Sequence, residues 1–289
     1  MKDQEFIADG LIALGLAEHR ERLMIEYYTS SLYPVYRITG AGGDFFIAAK
    51  VMNKKDMAEA EASGLVELKK AGAEVPECFG VHADSGRAVL YMEFIENAGI
   101  KSARSLVENL SGLYQAQFNQ WGWPKDNYIG TKIQKNSLHN SFGEYFIQDR
   151  ILAQSQEAVS KKLLSREFVK RMCDVVEKRS NEWSLNSIRP RLIHGDLWGG
   201  NILWGQKGSS YLIDPSVSWG HPEQDFGMLD LFGSPIGREE RIEIGKSFLM
   251  EEGIEERILF WKIYPLIVHV NIFGSSYISS LQNAVKSYE

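Results

Sequence analysis

Cysteine is nearly missing from these 289 residues. The two present, Cys78 and Cys173, lie far apart with no CxxC or Cys/His spacing, which argues against a zinc site and for a reducing compartment. Their ordinary role is that of small buried hydrophobes. An excess of positive charge is also missing: 32 basic against 38 acidic residues give a formal net charge of −6, which argues against a nucleic-acid partner. No uninterrupted apolar run is long enough for a membrane span, since the most apolar stretch, 258–273, is broken by Lys262, Pro265, His269 and Asn271. The first residues, MKDQEFIADGLIALGL, carry Asp3, Glu5 and Asp9 and lack the apolar centre of a signal peptide. The expectation is a soluble cytoplasmic protein, a monomer or weak dimer, without internal repeats. With 44% hydrophobic residues, the chain suits one large or two coupled lobes.

What is present is concentrated in residues 192–215, LIHGDLWGGNILWGQKGSSYLIDP. Asp196 stands two residues after His194, Asn201 follows five residues on, and Asp214 ends a short apolar run. Phosphoryl transfer to an alcohol needs a carboxylate beside the hydroxyl and hard oxygen ligands for the magnesium that accompanies a triphosphate. Asp196 supplies the first, and Asn201 with Asp214 supplies the second. Each residue taken singly is an ordinary turn former, and the neighbouring glycines fit that reading too. The flanking apolar runs, 192–193, 202–204 and 211–213, change the balance, because a loop pinned between strand-like segments is a platform for polar groups.

Upstream, residues 1–20 predict an amphipathic helix, and 23–28, 33–39 and 45–51 predict antiparallel strands, with a turn at 41–44. The third strand carries a lone cation, Lys50, which is either a solvated strand-end lysine or one that reaches ATP phosphates. The helix-forming stretch 56–71 offers Glu59, Glu61 and Glu67, one of which could pair with that lysine while the others form a solvated face. Two more strands, 75–82 and 87–94, turn at 83–86. At 93–99 the pattern passes from strand-rich to helix-rich, giving a domain division at 1–96 and 97–289, with the connector backbone at Glu93, Phe94 and Ile95 placed to meet adenine. Helices are expected over 103–118, 137–160, 165–183, from 225, and over most of 239–288. The aromatic stretch 121–130 and the segment 216–223 read as loops.

At this point the sequence resembles the fructosamine kinase family, a branch of the aminoglycoside-phosphotransferase-like kinases. HGDLWGGN at 194–201, IDPSVSWGHPEQDFGMLDLFG at 213–233 and HVNIFGSSY at 269–277 carry the resemblance, which spans essentially the whole chain. It implies an α+β, two-lobed protein-kinase-like fold, with a small antiparallel sheet and one main helix in the first lobe and a larger helical second lobe. EASGL at 61–65 resembles the family's E-x-x-G-L helix and selects Glu61 as the partner of Lys50. Asn127 and Gln134, in a segment resembling N-x-I-G…Q-x-N, together with His194, Trp198, Trp219 and His269, are the implied acceptor-side residues. Asp225 is the implied brace of the catalytic loop. Where the family has a glycine pair in its first hairpin this chain has Thr29-Ser30-Ser31-Leu32, so Ser30 and Ser31 would hold phosphate oxygens. Leu113-Tyr114 stands where a Leu-His pair is usual, and Phe142 where a tryptophan is usual.

The implied activity is ATP- and Mg2+-dependent phosphorylation of the 3-hydroxyl of a ketosamine, free or protein-bound, with Asp196 as base. The phosphate ester would then decompose, which makes the enzyme one of deglycation repair. Two rivals stand beside it: a kinase of the same fold acting on an aminoglycoside, choline or homoserine, and a degenerate, non-catalytic nucleotide-binding protein.

Overall fold

In the computed structural model, all residues are described except Met1, Ala41, Gly42, Asp44, Ser85, Leu249 and Glu251. The turn expected at 41–44 therefore lies largely outside the described residues, whereas of 83–86 only Ser85 does, and Asp84 pairs with Arg87 across that turn. The chain opens with helix α1 (Lys2–Ala13). It is shorter than the predicted 1–20, because the Leu16 N–H turns back onto the Leu11 carbonyl (2.9 Å) and closes it. Strands β1 (Leu23–Ser30), β2 (Pro34–Gly40), β3 (Phe46–Met52), β4 (Cys78–Asp84) and β5 (Arg87–Glu93) form an antiparallel sheet in the order β1-β2-β3-β5-β4.

The two-residue period of β3 decides what each face does. Ile47, Ala49 and Val51 join Phe6, Ile7 and Leu11 of α1 in one apolar cluster. Ala48 joins Leu65 and Leu68 from helix α2 (Lys55–Lys70) in another. Lys50 shares the parity of Ala48, and so its side chain leaves the sheet on the α2 side.

After β5 the chain runs without regular structure to α3 (Ala103–Leu113), which ends five residues before the predicted boundary. Residues beyond it leave the helix to run beside strand β10 (Arg191–Ile193): Phe118 N–H bonds the Pro190 carbonyl (3.0 Å) and Gln117 bridges Arg191. The aromatic stretch 121–130 is not a plain loop. It holds β6 (Trp121–Gly122) and β7 (Asn127–Ile129), and β7 folds back on β8 (Lys132–Gln134) as a hairpin, followed by β9 (Leu138–His139). Strands of two or three residues have no periodicity to read in a sequence.

The predicted continuous helix 137–160 is split into α4 (Phe142–Tyr145), a π-helical turn (Phe146–Leu152) and α5 (Ala153–Ser160). The wide turn points both Asp149 and Arg150 inward. Asp149 receives the Ser137 N–H (2.8 Å), and Arg150 bonds the Lys135 carbonyl (2.9 Å) while lying over the Tyr145 ring (4.8 Å). Helix α6 (Arg166–Glu182) follows.

Strands β11 (Ile202–Trp204) and β12 (Ser210–Leu212) make the hairpin that flanks the polar stretch. The segment predicted as a loop at 216–223 contains β13 (Ser218–Gly220), whose partner, β10, lies more than twenty residues away. The rest is helical: α7 (Glu223–Asp230), α8 (Arg238–Gly245), α9 (Ile254–Trp261), α10 (Ile263–Phe273) and α11 (Ile278–Lys286). By length and composition alone Ile254–Lys286 could cross a membrane, but 61% of its most apolar window is buried in this fold. Tyr145, Phe146, Phe260, Trp261, Ile267 and Leu281 anchor the core that buries it. A second core cluster runs from Leu65 and Leu90 of the sheet side to Leu192, Leu212 and Phe226 of the helical side, joining the two.

Candidate active site

The polar stretch enters a cleft between sheet and helices, and backbone geometry places each group. Gly195 sits at φ +82°, and a Cβ there would meet the Ser216 carbonyl oxygen at 2.1 Å, so only glycine lets the HGD turn press against the following strand. Asp214 is itself left-handed (φ +56°), a conformation that costs about 1–3 kcal/mol in a non-glycine residue and marks sites where position outranks comfort. On the opposite wall Gly64 allows α2 to approach, since a Cβ would stand 2.8 Å from Pro215 Cγ. That contact explains the glycine three residues after Glu61 in a helix where alanine would otherwise be favoured.

Lys50 Nζ lies 2.9 and 2.7 Å from the two Glu61 oxygens and 2.8 Å from Asp214 Oδ1. Burial opposes the ammonium charge, yet Asp214 and then Glu61 hold its pKa above the ordinary lysine value. Burial would raise Asp214 as well, but Lys50 overrides it and keeps the carboxyl below its usual range. Burial pushes Glu61 up against the pull of Lys50. Glu61 is thus the one glutamate of α2 that meets the lysine; Glu59 instead pairs with Lys55 (3.3 Å) and Glu67 with Lys70 (2.8 Å) on the solvated face.

Asp196 stands across the cleft, its pKa pushed up to about 7 by burial and by the Asp214 charge. Asn201 donates to the Asp196 carbonyl (2.8 Å), which fixes the amide so that its Oδ1 is the end left for another partner. His194 is wholly buried and locks the turn from beneath. Its Nδ1 accepts the Asp196 N–H (3.3 Å), so its Nε2 proton goes to the Ile213 carbonyl (2.9 Å), and burial lowers its pKa to about 4. It is a neutral positioning group rather than an acceptor-side residue. Asp225 collects the His194 N–H (2.9 Å), the Gly195 N–H (2.8 Å) and the Tyr114 hydroxyl (2.9 Å), and burial raises it to about 6. Tyr114, at the position where a histidine was expected, thus takes up one end of this brace. The helix that carries Asp225 is itself fixed by Glu223, which binds Arg257 (2.6 and 2.8 Å) and the Trp261 indole N–H (2.6 Å) out of reach of water.

Two cavities meet at Lys50, Asp214 and Ser31. One, about 520 Å3, lies between Val35, Ala48 and Met92 of the sheet and Leu203 and Ile213 of the β11–β12 hairpin, with Glu93, Phe94 and Ile95 at its back. The other, about 510 Å3, is lined by Asp196, Asn201, Trp198, the β7–β8 hairpin and α10. Trp198 and His269 line it as expected. Asn127, Gln134 and Trp219 do not: Asn127 binds the Val217 carbonyl (2.8 Å), Gln134 binds Asn127 (2.9 Å) and the Ser216 carbonyl (3.0 Å), and Trp219 is stacked on Phe118 (4.7 Å). The amides of Asn127 and Gln134 are spent on holding the hairpin. Ser31 borders both cavities, whereas Ser30 is the paired, exposed end of β1 and borders neither. Reading the sequence missed Tyr128, Phe232, Phe273 and Tyr277 on the second cavity; the four-residue spacing of His269, Phe273 and Tyr277 was the available signal.

Among the described residues no three His, Cys, Asp or Glu side chains gather as a metal cage. The donors on offer are one carboxylate, Asp214, and one amide oxygen, that of Asn201. This set of few hard oxygens suits a cation that keeps its waters and takes its remaining ligands from a phosphate.

A cleft with a buried lysine–glutamate pair, an apolar slot and a carboxylate facing a second cavity defines an ATP-dependent kinase of the two-lobed type. A fructosamine kinase family profile matches residues 18–288, and the chain belongs to the fructosamine kinase family. A probable ketoamine kinase of Enterococcus faecium is 34% identical over 254 residues, covering 88% of this chain and 90% of the relative. The chloroplastic protein-ribulosamine 3-kinase of Arabidopsis thaliana is 28% identical over 260 residues, covering 85% and 76%. A crystal structure from Thermobifida fusca, assigned as a fructosamine-3-kinase, superposes with a TM-score of 0.79 at 27% identity, covering 92% of both chains.

Proposed function

We propose that this enzyme phosphorylates the 3-hydroxyl of ketosamines such as fructosamine or ribulosamine, and that it does so in deglycation repair. The observation that carries the reading is Asp196: a carboxylate with its pKa raised to about 7, placed on the cavity opposite the slot and fixed by Asn201 and His194. Asp196 accepts the proton of the hydroxyl as that oxygen bonds to the γ-phosphorus and the bond to the departing ADP oxygen breaks. Lys50, held by Glu61, fixes the phosphate oxygens. Asn201 and Asp214 would hold Mg2+, which when bound neutralises charge on the phosphates. The Glu93 and Phe94 N–H groups already bond the Glu77 and Phe46 carbonyls (2.8 and 3.4 Å), which leaves Ile95 as the connector donor for the adenine edge. Ser31 and its backbone lie where the phosphates pass between the cavities, while Ser30 contributes through strand pairing.

A phosphate on C3 lies next to the C2 carbonyl of the sugar. Shifting a proton from C1 gives the enaminol, and the same electrons expel inorganic phosphate from C3, after which water releases the amine. We retain the division at 1–96 and 97–289, a monomer or weak dimer, and a reducing cytoplasmic setting, which free thiols at Cys78 and Cys173 suit. Among the described residues the acceptor cavity presents only the reaction-centre carboxylates Glu61, Asp196 and Asp214, with no further acidic patch for a polycationic aminoglycoside. Release of ADP from Mg-ATP in the presence of fructose-, ribulose- and erythrulose-amines, with an aminoglycoside and choline as controls, tests the reading; response to choline or the aminoglycoside alone would overturn it.

A further inference from the structure

Past Asp196 the acceptor cavity is walled by rings. Trp198 meets Phe232 (centroids 5.8 Å), Phe232 meets His269 (5.2 Å), and His269 meets both Phe273 (5.6 Å) and Tyr277 (4.9 Å). Large apolar side chains normally hide from water, yet Trp198, Phe232 and Phe273 are 37%, 49% and 57% exposed along this one wall. His269 adds a ring face, because its Nδ1 is engaged by the Pro265 carbonyl (2.6 Å).

Charge is as telling as shape. Among the described residues bordering this cavity the one cation is Lys50, which is buried against Glu61 and Asp214 at the reaction end. The three carboxylates are at that same end, and among the described residues the ring wall presents no cation to pair with an anion. A secondary ammonium, which every ketosamine of an alkylamine carries, suits ring faces near carboxylates. A carboxylate on the substituent would instead meet the like charge of Glu61, Asp196 and Asp214 with no cation beside it among the described lining residues.

Resting on the ketosamine reading above, we infer that the ring wall selects the amine half of the substrate: ketosamines of arylalkylamines without a carboxylate, the aryl group lying against Phe232, Phe273 and Tyr277. The sugar half reaches Asp196, and the nitrogen spans the two.

Three ketosamines separate this from its alternatives: those of phenethylamine, of ethylamine, and of phenylalanine through its α-nitrogen. The expected kcat/KM for the phenethylamine derivative is about tenfold or more above each of the others, since one compound lacks the buried ring and the other adds an unpaired anion. Phe273→Ala, at a half-exposed position where truncation leaves the core intact, should bring the phenethyl-to-ethyl ratio near one. Phe273→Lys should raise the phenylalanine derivative relative to the phenethylamine one. Equal turnover of the ethyl and phenethyl compounds by the unaltered enzyme, or ratios unmoved in both variants, overturns the inference while the kinase reading stands. No turnover of any of the three overturns the ketosamine reading and this inference with it.

Discussion

The two ends of the acceptor cavity are built on opposite plans. At the reaction end Lys50, Glu61, Asp196, Asn201 and Asp214 are each tied by hydrogen bonds or ion pairs of 2.7–3.4 Å, and a left-handed Asp214 and an obligatory Gly195 fix the backbone beneath them. At the other end ring packs on ring, and several are well exposed to water. Polar groups in a partly buried site have one good arrangement, whereas apolar contact is non-directional and tolerates exchange. The difference assigns rate to the first end and choice of substrate to the second.

Substitutions at the reaction end should therefore lower turnover of every substrate by a common factor. The largest loss is expected for Asp196→Asn, about 10³-fold in kcat with ADP binding retained. A loss below tenfold would remove Asp196 from the role of base. Lys50→Met should lower kcat/KM by about 10²-fold, as for the loss of one phosphate-oxygen donor. It should also lower the melting temperature, because Glu61 and Asp214 lose the cation between them. Gly195→Ala forces a Cβ against the Ser216 carbonyl at positive φ and should destabilise by about 1–3 kcal/mol, read by chemical denaturation.

The pH profile gives a subtler separation. Since burial raises Asp196 to about 7, its ionised form fills only above that point, and kcat/KM should climb about tenfold per pH unit below 7 and level off above it. The stability term has the opposite sign. A carboxyl whose folded pKa exceeds its unfolded value favours the fold when protonated, and that stabilisation is lost as pH rises through about 7. Asp196→Asn should abolish the activity limb and reduce the stability limb together, leaving the part that belongs to Asp225 and Glu61. The smallest effect is expected for Tyr114→Phe, which removes one of three donors to Asp225 and should cost about 1 kcal/mol, with the same few-fold decline for every acceptor.

Much of the reaction end was legible in the sequence because its groups are clustered: Asp196, Asn201 and Asp214 occupy nineteen consecutive positions flanked by apolar runs. The sheet was equally legible, since β1 to β5 are long enough to show alternation. Strands β6, β7 and β13 were not, being two or three residues long and paired across distant sequence. The same limit explains why Asn127, Gln134 and Trp219 looked like acceptor residues. Sequence shows that an amide or an indole is present; only the fold shows that its hydrogen bonds and its ring face are already taken. Conversely Phe232 and Phe273 stood in the sequence only as members of the runs 213–233 and 269–277, and it is their exposure that gives them a meaning of their own.

The contact between Gly64 and Pro215 carries a last consequence. In kinases that are switched on and off, the helix bearing the glutamate swings out and separates it from the lysine. Here α2 leans directly on the Asp214–Pro215 turn, and its N-terminal Asp56 is clasped by the Tyr128 hydroxyl from the β7–β8 hairpin. Swinging the helix out would have to break a packed backbone approach, a buried ion pair and that clasp at once. The structure rests with the lysine–glutamate pair formed, and all three contacts hold the helix to it.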